Sequence, residues 1–540
     1  MALLKTSQPL AAGPEGKGLS AAALGVLLSD NNIAESESEW ESVLGLEVTD
    51  FGPIAEAKVD LRPLTVFIGP SNTGKSYLAI LIYALHQIFS SNGRMYWGVS
   101  PKGRIPHVSA QDVEKIIDSI SDIARSLADD SEKGQGQDSI VLPLPVIGAL
   151  SSGYDELAHA LPAEIGRCFG IDRPSRLIRK GRSKSARVIL RCQERDNASE
   201  TKHTLTLAEN SEFKIQLPAQ MPIHDDHSRD YLRSSAHRLT SGEIELQGDA
   251  YHRVLAAREF LLRIGATMMS SLVRPLHLPA YYLPADRTGI MHAHNVVVNA
   301  LIARAPMAGI TPGTHTPMLS GVLADFLEQL IEINPGQPTH RHALKNQVGD
   351  LDKAIETILD GKVRVDRAPY TGYPRFAYIP RGWKKGGDLA LANASSMVSE
   401  LAPVVLYLRH KVRPGNVLII EEPEAHLHPA KQVEFTRQIA RLVAAGIRVV
   451  VTTHSEWLLE ELANIVRRSE LPENKRGGNA ALRPNQVGAW LFEPKRRPMG
   501  SVVKEIHLDD SGLYPSGFSE VASALHNEWA DISSQIENGS

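Results

Sequence analysis

Gly69-Pro70-Ser71-Asn72-Thr73-Gly74-Lys75-Ser76 fits G-x-x-x-x-G-K-[ST], the phosphate-binding P-loop. Its flanks have the composition that this pattern requires. Leu64-Thr65-Val66-Phe67-Ile68 reads as a short, buried, β-branched strand, and Tyr77 to Phe89 places apolar residues at helical spacing. Strand, glycine-rich turn and helix bring backbone N–H groups around a phosphate chain. Gly69, Asn72, Thr73, Gly74, Lys75, Ser76 and Tyr77 are therefore candidate nucleotide contacts. Lys75 has the charge to neutralise the β/γ-phosphates, and the Ser76 hydroxyl suits Mg²⁺.

A second stretch narrows the chemistry. Val417-Leu418-Ile419-Ile420-Glu421-Glu422-Pro423-Glu424-Ala425-His426-Leu427-His428-Pro429 is an apolar strand that ends in paired carboxylates. A strand buried on both faces reads as a continuous apolar run. Acids at its C-terminal end fall where an open α/β sheet binds ligands. Glu421 is placed to join the Mg²⁺ shell, as a Walker B acid does, and Glu422 to orient and deprotonate an attacking water. Two further pieces complete the order. Leu391 to Glu400 holds Ser395-Ser396 at a helix start, and Arg448-Val449-Val450-Val451-Thr452-Thr453-His454-Ser455 is a β-branched strand ending in a histidine.

P-loop, serine-rich helix start, acidic strand and strand-plus-histidine is the order of ABC-type ATPases. The four strings together resemble the OLD-like (overcoming-lysogenization-defect) ABC ATPases of prokaryotes, with Glu421-Glu422-Pro423-Glu424-Ala425-His426-Leu427-His428-Pro429 the most specific of them. The resemblance covers residues 45–95 and 275–525. It implies ATP and Mg²⁺ as ligands, with Ser395 and Ser396 reaching the γ-phosphate held by a second head, and His454 contacting the same phosphate. Pro284-Ala285-Asp286-Arg287 is similar to a P-A-x-R element of the family. Arg287 is thereby a candidate phosphate contact, with a structural salt bridge as the equal alternative. One departure stands out: Met397 occupies a position where the family carries glycine, which would let the backbone approach a phosphate closely. Pro403 is expected to kink the following helix or confine it to a short first turn.

The expected fold class is α/β: a P-loop NTPase of the ABC-type head kind, with a mixed helical and β insertion between Walker A and the signature. Expected divisions are a loosely ordered extension over 1–40, an ATPase lobe with Walker A over 41–100, the insertion over 101–275, a return to the core with a helical lobe over 276–390, and signature, Walker B, histidine and closing elements over 391–540. Leu46 to Phe51 and Ala57 to Leu61 read as a hairpin. Residues 186–192 and 202–216 alternate like strands, Arg364 to Pro380 reads as a hairpin, and 319–333 and 342–360 read as helices. Helices are also expected over Gln111–Asp129, Glu243–Val273 and Phe518–Ile536, and closing strands over Ala489–Phe492 and Val502–Leu508. Sustained heptads are absent, which excludes a long coiled coil.

Composition limits the function classes. The 540 residues carry a formal charge of −4 and 42% hydrophobic residues, enough for several domain cores and no sign of a globally nucleic-acid-binding surface. Only Cys168 and Cys192 occur, which points to a reducing compartment. No apolar run has membrane-span length and no secretory pattern opens the chain, so a cytoplasmic location without membrane contact is expected. Arg173 to Arg191 carries eight Lys/Arg and no acid. That run suits a nucleic-acid backbone, a solvated hairpin edge or an acidic partner. His224-Asp225-Asp226-His227 has metal-ligand residue types in a polar loop.

The longer OLD nucleases add a C-terminal domain with its own acid cluster, which the residues after His454 do not supply. Resemblance to the ATPase subunits of anti-phage systems such as Septu and PARIS implies a sensor or scaffold. It would form a head-to-head homodimer or higher oligomer and control a separate effector, a nuclease or toxin. The alternative is a DNA-binding, SMC-like clamp in repair or chromosome maintenance.

Overall fold

A computed structural model describes residues 42–90, 139–181, 183–194, 200–214, 220–222, 274–293, 319–334, 351–367, 374–383, 387–477, 480–496, 499–507 and 526–530, with isolated helical positions at 115–116, 118–119, 122–123, 261 and 264. The expected extension over 1–40, the histidine–aspartate loop at 224–227 and most of the helices expected over 111–129, 243–273 and 518–536 lie outside these residues.

The chain opens with the hairpin β1 (Ser42–Phe51) and β2 (Ile54–Leu61), followed by β3 (Leu64–Ile68), the P-loop and α1 (Lys75–Phe89). The insertion contributes β4 (Ser139–Val141), α2 (Leu144–Phe169), β5 (Ala186–Glu194), β6 (Glu200–Leu207), β7 (Glu212–Lys214) and β8 (Gln220–Pro222). The core resumes with β9 (Ala280–Leu283), α3 (Gly321–Ile331), α4 (Leu351–Ile358) and β10 (Gly361–Arg367), β11 (Pro374–Pro380) and β12 (Leu389–Ala390). It closes with α5 (Ser396–His410), β13 (Val417–Glu421), α6 (Pro429–Ala444), β14 (Arg448–Thr453), α7 (Glu456–Arg468), β15 (Val487–Arg496) and β16 (Met499–Ile506).

One sheet of eleven strands runs β7-β6-β5-β1-β2-β16-β15-β3-β14-β13-β9. The β15-β3-β14-β13-β9 half is parallel throughout, and the β7 to β1–β2 half is antiparallel. In the parallel half every residue of β3, β13 and β14 is buried, which explains their uninterrupted apolar sequences. Alternate residues serve opposite faces. Leu64, Val66, Ile68, Leu418, Ile420, Val449 and Val451 join the core under α5, α6 and α7, while Phe67, Val417, Ile419 and Val450 join the core under α1 and α2. This is the P-loop NTPase arrangement of helices on both faces of a central sheet. The chain is thus an α/β P-loop NTPase with a mixed helical and β insertion after Walker A.

Two expectations need correction. The run 202–216 is not one strand. It breaks at a turn over 208–211, where the Ser211 hydroxyl bonds the Ala208 carbonyl at 3.2 Å, as expected of an Ala-Glu-Asn-Ser stretch. Of the two outcomes expected of Pro403, a kink or a short first turn, the second is overturned, because α5 continues through it to His410. Residues 398–408 of that helix are all buried, so tertiary packing outweighs the missing proline N–H.

Candidate nucleotide site

The P-loop closes the gap between β3 and α1, and its backbone needs the residues it has. Gly69 and Gly74 have φ of 138° and 103°, and a Cβ would meet the Phe492 carbonyl at 2.6 Å or Ile54 Cγ1 at 2.7 Å. Asn72 takes φ 63°, a conformation that asparagine tolerates better than most residues. Thr73 Oγ1 donates to the Pro70 carbonyl at 2.8 Å, pinning the loop from inside. Lys75 Nζ donates to the carbonyls of Gly69 at 2.8 Å and Pro70 at 2.9 Å. Burial lowers the Lys75 pKa to about 8, against the opposing pull of Glu422, Glu424 and Glu421. The lysine is therefore poorly hydrated and held by weak dipoles, a setting in which an anion is a strong ligand. The Tyr77 ring packs on Phe51 and Phe169, with ring centroids 6.2 Å and 5.2 Å away.

β13 and β14 bring the acids and the histidine to the same edge. They pair in parallel with Glu421 opposite Thr452, and β14 pairs with β3 so that Thr453 lies opposite Ile68. Glu421 is buried, which pushes its carboxyl pKa up. The Ser76 hydroxyl, the Ala285 backbone N–H and the Arg287 charge oppose that shift. Glu421 Oε2 accepts the Ala285 N–H at 3.2 Å. Two hard oxygen donors, Ser76 and Glu421, thus face one another, a donor set that suits Mg²⁺.

Glu422 takes φ 41°, uncommon for a long side chain and placed where function favours strain. Its N–H donates to the Thr452 carbonyl at 2.9 Å. Its carboxylate stands 3.7 Å from His454 Nε2. Burial and the Lys75 charge lower the His454 pKa, while Glu422 pulls it up. The neutral ring keeps one donor and one acceptor nitrogen for the site.

Two residues beyond the predicted set organise this edge. Glu424 Oε1 accepts the His454 N–H at 2.6 Å, and its buried Oε2 has no hydrogen-bond donor among the described residues. Glu424 was visible as the third acid of its motif, but no spacing rule assigns a side chain that has already left the strand. Glu400 was silent in sequence, because it sits inside an apolar helix run.

Of the two roles open for Arg287, the structure takes the salt bridge. The guanidinium is 0% exposed and pairs with Glu400, itself 0% exposed. No face of it is left for a phosphate. Ser395 is the N-cap of α5, accepting the Val398 N–H at 3.4 Å, and Ser395 and Ser396 are exposed at the helix start. They are not brought to this chain's own P-loop side chains by any hydrogen bond among the described residues. Met397 lies in the helical first turn and packs on the core beneath α5, so the departure from glycine is absorbed without backbone strain.

The basic run of the insertion is partly spent within the chain. Arg179 pairs with Asp50 at 2.5 Å, Arg191 with Glu47 at 3.0 Å and Asp60 at 3.1 Å, and Arg176 with Asp172 at 3.1 Å. Arg173, Lys180, Lys184 and Arg187 are exposed. No helix among the described residues is long and apolar enough to cross a membrane.

A family model described as an AAA ATPase domain matches residues 324–459. The match spans α5, the acidic strand and His454, and the P-loop precedes it. No curated protein matches the chain. Solved structures with a similar course include an SMC head bound to the C-winged helix domain of ScpA, with 11% identity, 87% of this chain and 98% of that chain covered and a TM-score of 0.38. They also include the SMC head domain from Thermotoga maritima (12%, 86% and 99%, TM-score 0.32) and the Smc head domain with an extended coiled coil bound to the C-terminal domain of ScpA from Pyrococcus furiosus (10%, 90% and 100%, TM-score 0.38). With the family match over residues 324–459, the chain's own P-loop, and the acids and histidine on adjacent parallel strands, this is an α/β P-loop NTPase that carries an AAA ATPase-like segment.

Proposed function

We propose that the protein binds MgATP between two copies of itself, hydrolyses it, and uses the cycle to control a separate effector, a nuclease or toxin, in prokaryotic anti-phage defence. One observation carries the catalytic part: Lys75, Ser76, Glu421, Glu422 and His454 converge at the C-terminal ends of the adjacent strands β3, β14 and β13. Lys75 exchanges two carbonyl partners for phosphate oxygens, which suits a cation short of hydration. Ser76 and Glu421 would hold Mg²⁺, which would supply charge neutralisation at the phosphates. Glu422 orients water and takes its proton, with its backbone fixed by Thr452. His454, neutral and 3.7 Å from Glu422, donates to the developing phosphate charge. Ser395 and Ser396 of the second copy complete the site, which suits their exposure at a helix N-terminus.

The effector role rests on the motif resemblance. A repair or chromosome-maintenance clamp is the second reading, favoured by exposed Arg173, Lys180, Lys184 and Arg187. Glu422→Gln is expected to retain ATP binding and lower kcat about 10²–10⁴-fold. Normal turnover in that variant overturns the assignment of the base. Native mass of Glu422→Gln with MgATP, purified from its own host, separates the two readings. A stoichiometric second polypeptide supports effector control, and a homo-oligomer with steeply salt-dependent, ATP-dependent DNA binding supports the clamp.

A further inference from the structure

Arg287 spends its guanidinium on the protein, with four hydrogen bonds to backbone carbonyls and an ion pair to Glu400. Nε donates to the Glu400 carbonyl at 3.2 Å, and Nη1 donates to the carbonyls of Pro284 at 2.8 Å and Glu421 at 2.5 Å. Nη2 donates to the Glu422 carbonyl at 3.2 Å and pairs with the Glu400 carboxylate. A single buried side chain thus grips the backbone of both catalytic acids and the first turns of α5. The grip is reinforced from the helical turn at 287–293. Thr288 Oγ1 donates to the Glu400 carboxylate, and His292 Nε2 lies 2.8 Å from Ser399 Oγ. Ser399 Oγ in turn donates to the Leu391 carbonyl at 3.2 Å, on the approach to Ser395.

These contacts span two functions. Glu421 and Glu422 serve the nucleotide of their own chain, whereas Ser395 at the start of α5 faces outward. We propose that Arg287 is a positioning residue that moves the catalytic acids and the signature helix as one unit, so that nucleotide occupancy at one site of a dimer is felt at the other. This rests on the reading of the protein as a dimeric ABC-type ATPase. The chemistry favours arginine specifically. Only a planar fork reaches three elements at once, while a lysine offers one point charge. A buried pair of this kind is weak evidence for added stability, and specificity of geometry is the better-attested use.

The test is Arg287→Lys in the full chain, measured for MgATP binding, for kcat and KM, and for the dependence of rate on ATP concentration. Wild type is expected to show a Hill coefficient above one. In the variant, nucleotide binding by the P-loop persists, KM changes little, kcat falls about a hundredfold and the Hill coefficient falls to about one. A merely structural residue would lower the melting temperature without removing cooperativity. Wild-type hydrolysis without cooperativity, or a variant that keeps both kcat and cooperativity, overturns the proposal alone. Wild-type protein that binds no ATP overturns the ATPase reading with it. If Arg287→Lys does not fold, Thr288→Val carries the test. It leaves the fork in place and frees one Glu400 oxygen, and a lowered Hill coefficient at unchanged KM supports the coupling, while an unchanged one rejects it.

Discussion

The ends of β3, β13 and β14 and the arm built by β1, β2, β5, β6 and β7 use charged side chains in opposite ways. At the strand ends the charges are buried and crowded. Lys75 and Glu421 are nearly solvent-free, and Arg287 and Glu400 wholly so. Glu422 and His426 hold left-handed backbone there, and the buried Glu424 Oε2 has no donor among the described residues. In the arm, Arg179, Arg191, Glu47, Asp50 and Asp60 pair across neighbouring strands and turns at partly buried positions. Buried, unbalanced groups carry shifted pKa values and strain, which cluster at functional sites. Paired surface charges keep register and solubility. The contrast agrees with the proposal that places chemistry in the first region and support in the second.

The comparison breaks first at Glu424. Its carboxylate holds the His454 backbone, so Glu424→Ala should let the β14–α7 loop drift while leaving the P-loop intact. The expected result is a fall in kcat of about 10²-fold with nucleotide affinity nearly unchanged, measured by steady-state ATPase assay and titration with a fluorescent nucleotide. Glu424→Gln keeps one acceptor oxygen and should recover part of the loss. Equal loss in both variants would mean that the charge of Glu424, rather than its bond to His454, is what matters.

The pH profile sharpens the comparison with a smaller effect. kcat/KM reports groups of the free enzyme. Lys75 must be charged to receive phosphate and its pKa is about 8, so kcat/KM should fall about tenfold per pH unit above that value. The sign follows from the group: a base with a lowered pKa loses its proton, and its usefulness, as pH rises. Lys75→Arg stays charged and should remove the alkaline limb, whatever it costs in rate. A limb that persists in Lys75→Arg belongs to another group.

Much of the strand-end region was legible in sequence because its constraints are local. A strand buried on both faces must be apolar, a loop around phosphate must be glycine-rich, and the acids follow directly on Ile420. Leu64–Ile68 was read at the bounds the structure gives it. The contacts of Arg287 were not legible, because four of its partners are backbone carbonyls and its carboxylate lies 113 residues away. Carbonyl partners leave no trace in residue type. The short first turn expected of Pro403 fails for the opposite reason: its local rule is sound, yet the burial of α5 outweighs it. In the arm, the basic run looked like a surface field because sequence shows the arginines together and their acids apart. Asp50 and Asp60 lie 129 and 131 residues from Arg179 and Arg191.

The smallest predicted effect lies there. Arg191 bridges Glu47 and Asp60, and its guanidinium covers Gly45, where a Cβ would stand 2.8 Å from Nη2. Arg191→Ala should therefore remove both an ion pair and the packing of its stem. Partly exposed pairs contribute about 0.2–1 kcal/mol, so the loss in denaturant unfolding should stay near that size and shrink at high salt. Turnover should be unchanged, because Arg191 sits on β5 in the antiparallel arm and its ion pairs go to Glu47 and Asp60 of β1 and β2. Arg191→Met keeps the stem and isolates the charge. A loss of ATPase in Arg191→Met without a loss of stability would mean that the arm senses something the strand ends respond to, and the division of labour between the two regions would have to be redrawn.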